Sequence, residues 1–419
     1  MKARLFLLLD SVRSSYWFIP SLMLLGAAAL AVALVAADQH FDTEDLRGLW
    51  WIFSGGAEGA RSLLSTVAGS VIAVAGTTFS ITIAVLSLTS SQFGPRLLRG
   101  FLRDTGNQVV LGTFVATFLY CLLVLRMVRS VEEALFVPHI AVTGGVILAI
   151  ASVCVLIYFI HHVSVSIQAS RIIASVAGEL EEAINRLFPD QIGQDGETVE
   201  AKPSSTPSSA GSNPNSRTVR ATGEGYVQAI DGDALLALAR EKDLVITLER
   251  APGQFVIRST KIATVKSGSQ ECSPVIPDID EQVNTAFTFG EQRTSGQDME
   301  FLLLELVEVA TRALSPGTND PFTAILCIDR IGASLCHLAE RQIPSAARLD
   351  DTGTLRVIAK TISFEAIVET AFREIRHYGQ EDPAVAQRLR EVLDELGEFA
   401  RTDAQRAAIR KEAAKAGTR

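Results

Sequence analysis

The stretch LLSTVAGSVIAVAGTTFSITIAVLSL, residues 63–88, decides the fold class of this 419-residue chain. It contains no Asp, Glu, Lys or Arg. About 20 apolar residues in a helix are enough to cross the hydrocarbon core of a bilayer. The stretch therefore predicts a membrane-spanning helix and indicates that the chain is a membrane protein.

Three further runs, 17–37, 109–125 and 140–160, are also long enough to span a bilayer, and none holds an acid or a base. Charged residues dominate after the last of them. The chain therefore divides into a transmembrane domain with four helices, residues 1–162, and a water-soluble part.

Basic residues near the ends of membrane helices stay on the cytoplasmic side. They precede the first run (Lys2, Arg4, Arg13), separate the second and third (Arg96, Arg99, Arg103) and follow the fourth (Arg171). Both termini are therefore expected in the cytoplasm, with the loops 38–62 and 126–139 outside, although Arg126 and Arg129 oppose this arrangement.

Two amphipathic segments adjoin the spans. In FGPRLLRGFLRD, residues 93–104, Arg96, Arg99 and Arg103 alternate with apolar residues, which suits either a helix at the anionic headgroups or an ordinary cytoplasmic loop. Residues 163–189 show helical periodicity and predict a helix that carries the chain into the cytoplasm.

The water-soluble part begins with a Pro/Ser-rich linker, residues 190–217, which is predicted to be disordered. Alternating strands and a Pro-Gly turn predict a small α+β domain over 218–270. The remainder, 271–419, is predicted as a helical domain. Its helices are expected at roughly 279–288, 296–314, 320–342, 355–378 and 384–416.

No CxxC pair, His/Cys cluster, P-loop or other catalytic motif is present in the sequence. We therefore expect no metal, no cofactor and no catalytic residues, and we do not expect an enzyme. The expected partners are membrane lipids and further copies of the chain, not nucleic acid, and the sequence leaves any partner of the cytoplasmic part unidentified.

A heptad stripe of small or hydroxyl-bearing side chains runs along the second span. It consists of Thr66, Ser70, Ala73, Thr77, Ser80, Ala84, Ser87 and Ser91. Small residues let helix backbones approach closely, so the stripe suits a packing seam. Hydroxyl groups also suit the wall of a water-filled path in an oligomer. Both interpretations stay open.

The stretch RALSPGTNDPFTA, residues 312–324, separates two apolar helical runs. Pro316 and Gly317 end the first run, and Asp320 before Pro321 is a typical helix N-cap, so a helix-loop-helix corner is the first interpretation. An anion or small-ligand site is the alternative, because a helix N-terminus can bind anions. Its candidate residues are Arg293, Arg312, Asn319, Asp320 and Thr323.

Four motifs carry a family resemblance: AGTTFSITIAVLSLTSSQFGPRLLRGFLRD, GYVQAID, GEQRTSGQD and TRALSPGTNDPFTA. With them the chain resembles a bacterial family of integral membrane proteins named domain of unknown function 2254. The resemblance covers nearly the whole chain. It implies a bacterial inner-membrane protein with a cytoplasmic C-terminal region, and it brings no activity with it.

Three functions remain open from the sequence. The first is a homo-oligomeric channel-like or sensor protein with a cytoplasmic regulatory region, which the hydroxyl stripe favours. The second is a non-conducting scaffold whose helical region binds a partner or small ligand. A membrane enzyme is the least favoured, because no arrangement of nucleophile, base or metal ligands is visible.

The predicted orientation can be tested by labelling. A single cysteine placed near Asp42 should react with a membrane-impermeant thiol reagent in intact spheroplasts, and one placed near Thr206 should react only after the membrane is opened. Labelling near Thr206 in intact spheroplasts would show that the orientation is wrong.

Overall fold

The computed structural model describes residues 17–40, 53–94, 104–128, 136–166, 168–188, 216–267 and 278–417. The chain divides into two compact units, residues 1–172 and 173–419. The described part of the first unit consists of long helices, whereas the second combines helices with two β-sheets.

The described residues of the first unit form four long helices. They are α1 (Phe18–His40), α2 (Ala57–Phe93), α3 (Thr105–Met127) and α4 (His139–Ser166). Helix α3 packs against the other three and is the most deeply buried. Its fully buried side chains include Phe114 and Tyr120, so the core of this unit forms around α3.

Five of the described helices are long and apolar enough to cross a membrane, judged by length and composition. Four of them contain the runs predicted from the sequence. The fifth, Pro321–Ala339, lies in the second unit and was not predicted as a span. Length and composition therefore do not by themselves limit the number of spans to four.

All the described strands lie in the second unit. A five-stranded sheet has the order β1-β5-β3-β8-β7, and a three-stranded sheet has the order β4-β2-β6. Their bounds are β1 Ser216–Arg220, β2 Gly225–Ile230, β3 Leu244–Leu248, β4 Phe255–Val256, β5 Lys261–Ser267, β6 Phe287–Gly290, β7 Ala347–Leu349 and β8 Leu355–Ile358. Only the β3–β8 pair is parallel among the described strands.

Helices complete the second unit. They are α5 Ala169–Leu187, whose buried residues begin at Ile173, α6 Gly232–Glu241, α7 Ile279–Thr285, α8 Met299–Ala313, α9 Pro321–Ala339, α10 Phe364–Gly379, α11 Pro383–Phe399 and α12 Asp403–Gly417. The last five pack on one another as a helical layer. Within it α9 and α11 run parallel. Asp329 of α9 bonds Arg388 of α11, and about one turn further along both helices Gly332 lies against Val392.

The prediction that residues after 278 are entirely helical is wrong, because three strands, β6, β7 and β8, lie in this region. The predicted helix 279–288 ends at Thr285 and is followed by β6, and the predicted helix 355–378 begins with β8. Strand β8 pairs with β3, about a hundred residues earlier in the chain, through Ile246–Val357 and Thr247–Ile358. Local periodicity could not reveal a partner so distant. The sheets thus combine strands from both sides of the boundary predicted at residue 270.

Two other predicted helices are interrupted. The predicted helix 384–416 divides into α11 and α12, because Gln405 Oε1 accepts hydrogen bonds from the N–H groups of Arg401 and Thr402 at 2.8 and 2.9 Å. The predicted helix 163–189 is split between α4 and α5, which are separated by two residues. Of the predicted linker, residues 190–215 lie outside the described residues, and Ser216 and Arg217 belong to β1.

The turn between β7 and β8 is organised by one carboxylate. Asp350 accepts hydrogen bonds from the N–H groups of Thr352 and Thr354, at 2.9 and 3.0 Å, and from the Thr352 hydroxyl at 2.5 Å. Arg356 Nε donates to its other oxygen at 2.7 Å. The hydrogen bond from Thr352, followed by that from Arg356, holds the pKa of Asp350 below its ordinary value of 3.8.

This lowered pKa predicts how stability depends on pH. Because the folded state favours the ionised carboxylate, Asp350 should stabilise the fold above pH 3.8 and lose this effect as the pH falls below that value. Replacement Asp350→Asn should lower the melting temperature most at pH 6–7, measured by circular dichroism in detergent. The difference from wild type should begin to shrink below pH 3.8 and become smallest at the lowest pH at which the protein stays folded. Asp351→Asn is the matched control, because Asp351 is 83% exposed.

Candidate functional site

Helix α2 has two heptad stripes on opposite faces. The buried stripe consists of Leu64, Ala68, Val71, Ala75, Thr78, Thr82, Val85 and Thr89. Each position of the predicted hydroxyl stripe follows one of these by two residues, which in an α-helix is a rotation of about 200°. All eight positions of the hydroxyl stripe, from Thr66 to Ser91, are exposed. Among the described residues, the stripe therefore does not pack against the other helices of the first unit.

Several hydroxyl groups of this stripe donate to their own helix. Thr66 donates to Ser62 O at 2.7 Å, and Ser80 donates to Gly76 O at 2.9 Å. The hydroxyl group of Thr77 bonds Ala73 O in the same way, at 3.1 Å. Such bonds to the preceding turn satisfy the hydroxyl proton without water. The stripe can therefore lie inside an apolar bilayer and still offer hydroxyl oxygens as acceptors.

A buried acid joins α1 to α4 at one end of the bundle. The Asp38 carboxylate accepts hydrogen bonds from the N–H groups of Ile140 and Ala141, both at 2.9 Å. These amides belong to the first turn of α4, where no intrahelical acceptor exists. Asp38 is 6% exposed, although the sequence placed it in an outer loop. Its carboxylate therefore caps a neighbouring helix and also complements the helix dipole.

Further polar contacts surround this cap. The Tyr120 hydroxyl donates to Ala141 O at 2.7 Å, and Phe53 N donates to the Thr143 hydroxyl at 3.0 Å. His139 Nδ1 lies 2.7 Å from Phe53 O. One hydrogen-bonded cluster therefore holds four segments together: the C-terminal end of α1, the N-terminal end of α4, the segment before α2, and α3.

A second acid joins α3 to α4 at the other end of the bundle. Asp104 caps α3 by accepting from Gly106 N at 2.8 Å, and its second oxygen lies 2.5 Å from His162 Nε2 on α4. The ring of Tyr158 stacks on His162 with 5.3 Å between centroids. A side chain at Gly106 would collide with the His162 ring, so glycine is required for this contact.

The polar side chains of Arg312, Asp320 and Thr323 in the 312–324 corner are hydrogen-bonded to one another or to the adjacent turn of α8. Arg312 donates to Glu308 Oε1 through Nε and Nη2, at 3.2 and 3.1 Å. Asp320 caps α9, where Thr323 N donates to Oδ1 at 3.1 Å and the Thr323 hydroxyl donates to Oδ2 at 2.5 Å. Asn319 takes a left-handed conformation, with φ 46°, and donates its N–H to Ser315 O. The helix N-terminus proposed for an anion is thus occupied by the carboxylate of Asp320.

Arg293 lies at the start of α8 and not at the 312–324 corner. Its Nε and Nη2 donate to the two oxygens of Asp298, at 2.7 and 2.9 Å, and Nη2 reaches Glu300 at 3.4 Å. Burial lowers the pKa of Arg293, but Asp298 and Glu300 raise it more, so the net shift is upward. Asp298 caps the start of α8 and Arg312 lies in its last turn, which places them about 20 Å apart. The structure therefore does not bring Arg293 and Arg312 into one site.

The remaining predicted site residues, Arg96, Arg99 and Arg103, lie outside the described residues. The sequence interpretation missed the two acids that join helices, Asp38 and Asp104. A signal was present for Asp104, which precedes the apolar run like an N-cap. For Asp38 no local signal exists, because it caps a helix that begins about a hundred residues later.

Apolar helices of membrane-spanning length, joined to an α/β unit, define a membrane protein with several candidate spans and an attached α/β region. The chain belongs to the family of predicted membrane proteins DUF2254, which matches residues 13–395. The resemblance seen in the four sequence motifs is thereby confirmed.

Mycobacterial proteins are similar to this chain over nearly its whole length. Uncharacterized proteins of Mycobacterium bovis and Mycobacterium tuberculosis H37Rv are each 31% identical over 413 residues, which is 97% of this chain and 76% of theirs. A protein from a second M. tuberculosis strain is 30% identical over the same length. No solved structure matches the chain.

The Asp38 cap predicts an unequal effect of two substitutions. Asp38→Ala leaves one buried and one partly buried N–H group without an acceptor and should cost about 1–3 kcal/mol in the free energy of unfolding. Asp38→Asn keeps one acceptor oxygen and should cost less. Thermal stability in detergent, followed by size-exclusion chromatography, measures both. Gln39→Ala, at an exposed neighbour, is the control and should leave stability unchanged.

Proposed function

We propose that this chain is a four-span protein of the bacterial inner membrane that forms a homo-oligomeric, channel-like or sensor assembly. Both termini and the second unit lie in the cytoplasm, as the basic residues flanking the spans favour. The role is non-enzymatic and uses no cofactor, and no nucleic acid takes part.

The observation that carries this proposal is the exposed stripe of α2. A polar or small face turned to lipid gains nothing from lipid contact, whereas the same face gains from a second helix or from water. Because the opposite face of α2 packs on the described helices of the chain itself, the stripe is the face of α2 available to another copy. Copies arranged around an axis would bring Thr66, Thr77 and Ser87 into its lining.

The count of four spans rests on the surroundings of α9. Its Asp329 bonds Arg388 of α11 at 2.6 Å, and its buried face carries Ile328, Ile331 and Leu335. An amphipathic helix with an ion pair on one side suits the core of a water-soluble unit. We therefore assign α9 to the cytoplasmic unit and not to the bilayer.

Regulation by the cytoplasmic unit is supported by α5. Two residues separate α5 from the last span, α4. The end of α5 is held on the second unit by Asn185 Oδ1, which lies 2.8 Å from His337 Nε2 and accepts from Arg341 Nη2 at 2.5 Å. Arg186 also donates to Ser295 O at 3.0 Å. A movement of the second unit would therefore reach α4 through a very short connection.

The alternative is a non-conducting scaffold whose helical layer binds a partner or a small ligand. Its support is the large helical surface of α8 to α12, since such surfaces serve as binding faces in other helical proteins. Loss of a co-purified partner on deletion of 279–416 would favour it. Ion flux through liposomes that contain the purified protein would favour the channel-like assembly instead.

Substitutions at Ser80 distinguish a wet path from a dry seam between copies. In a Cys154→Ser background, Ser80→Cys should react quickly with a charged thiol reagent if the stripe lines water, and slowly if it is packed. We expect slow modification, and we expect Ser80→Leu to reduce the oligomer because a larger side chain separates closely packed backbones.

The control for this experiment is Ile81→Cys, one residue along the helix on a neighbouring exposed face. It should react slowly in either case, since it faces lipid. Fast reaction at position 80 and slow reaction at 81 would establish the water-lined path. Equal stability of the Ser80→Leu oligomer would contradict a packed seam.

A further inference from the structure

The second unit has an acidic, aromatic surface at one end of its helical layer. Because α9 and α11 run parallel, their N-termini lie side by side, and each begins with Asp-Pro, at Asp320 and Asp382. Phe322 follows the first and is 82% exposed, the largest exposure of any large apolar side chain described. Exposed Glu381 lies in the turn before α11.

Tyr378 adds a second exposed ring at this end, at the close of α10. Gly379, next to it, packs against Leu314 at the end of α8, so the α10–α11 turn and the α8–α9 corner are neighbours. Among the described residues, neither Glu381 nor Asp382 has a basic partner. We call Phe322, Tyr378, Glu381 and Asp382 the acidic end.

A basic, aromatic surface lies at the other side of the unit. Phe255 and Ile257, in and after β4, are 55% and 65% exposed. Arg258 Nε donates to Thr222 O at 3.2 Å, and Arg220 Nη1 donates to Ser259 O at 2.8 Å. Neither guanidinium has a carboxylate partner within the described ranges. We call Phe255, Ile257, Arg220 and Arg258 the basic end.

The two ends are separated by the length of α8. Gly253, two residues before Phe255, lies against Asp298 at the start of α8 so closely that a side chain would not fit. At the other terminus of α8, Asp320 N donates to Ala313 O at 2.8 Å, and Phe322 follows. A helix of 15 residues is about 22 Å long. The ends therefore cannot cover each other within one molecule.

We propose that the acidic end of one copy binds the basic end of the next. This inference rests on the proposed homo-oligomer. Copies in one membrane share one orientation, so neighbours around a rotation axis meet through two different surfaces, head to tail. The two ends match in this sense, since both carry exposed rings or aliphatic groups and their unpaired charges have opposite signs. Phe322 of one copy is the central apolar anchor of this contact. Glu381 of the same copy faces Arg258 of the next.

Paired cysteines test this contact in the full-length protein, in its membrane and in a background with the five native cysteines replaced by alanine. With a short bis-maleimide, Phe322→Cys combined with Ile257→Cys should give a ladder of cross-linked species beyond the dimer. Either cysteine alone should give none. Ala333→Cys combined with Ile257→Cys is the matched control, because position 333 is exposed on α9 away from its N-terminus.

Charge reversal provides a second test in the wild-type background. Arg258→Glu and Glu381→Arg should each weaken association in detergent severalfold, and the double reversal should restore it. Phe322→Ala should weaken association about tenfold, as expected for an anchoring aromatic residue. Association is measured by mass photometry over a dilution series.

The outcomes separate this contact from the oligomer itself. A multimeric mass without the 322–257 ladder would overturn the head-to-tail contact and leave the oligomer standing. A monomeric mass at all concentrations would overturn both. Cross-linking of position 322 to a different protein would also overturn the contact and would identify the acidic end as the binding surface for that protein.

Discussion

Backbone N–H and C=O groups find no water in the hydrocarbon core, so a membrane protein must satisfy them with its own atoms. The first unit depends on this constraint. Asp38 supplies acceptors to the first amides of α4 from a different helix, whereas Asp104 caps its own helix, α3, and also bonds His162 of α4. The two acids lie at opposite ends of the bundle. Between them lie two apolar clusters and a hydrogen bond of 3.1 Å between the Thr117 and Ser152 hydroxyl groups.

The same obligation to satisfy helix termini shapes the second unit. Asp298, Asp320 and Asp382 cap α8, α9 and α11, and Asp350 organises the turn between β7 and β8. A carboxylate at a helix N-terminus uses the donors that an external anion would need. The corner at 312–324 is therefore a self-contained structural element, and what it presents outward is the ring of Phe322.

Helix α2 differs from these satisfied elements, because one face of it packs against no other helix among the residues that the structure describes. At 37 residues it is about 55 Å long, well beyond the roughly 30 Å of hydrocarbon that a span has to cross. A long helix with one face packed and the other face lined with small and hydroxyl-bearing residues is suited to contacts between copies. The proposed oligomer and the proposed contact between second units thus place their interfaces on different parts of the chain, so the contact can fail in experiment while the oligomer stands.

The sequence by itself determined the apolar helices, the N-cap Asp320 followed by Pro321, the strands near 225–265 and the family. These depend on composition and on neighbours within a few residues. It also determined the heptad spacing of the hydroxyl stripe. Which way that stripe faces was decided only by tertiary structure, since a second heptad of small, aliphatic and threonine residues occupies the opposite side of the same helix.

Tertiary structure also decided β8, the burial of Asp38 and the separation of Arg293 from Arg312. In each case the deciding partner is distant in sequence or lies at the far end of a helix: β3 for β8, the start of α4 for Asp38, and the length of α8 for the two arginines. Periodicity reports the faces of an element but not the element that will cover each face. That choice is made by packing, which acts between segments a hundred residues apart.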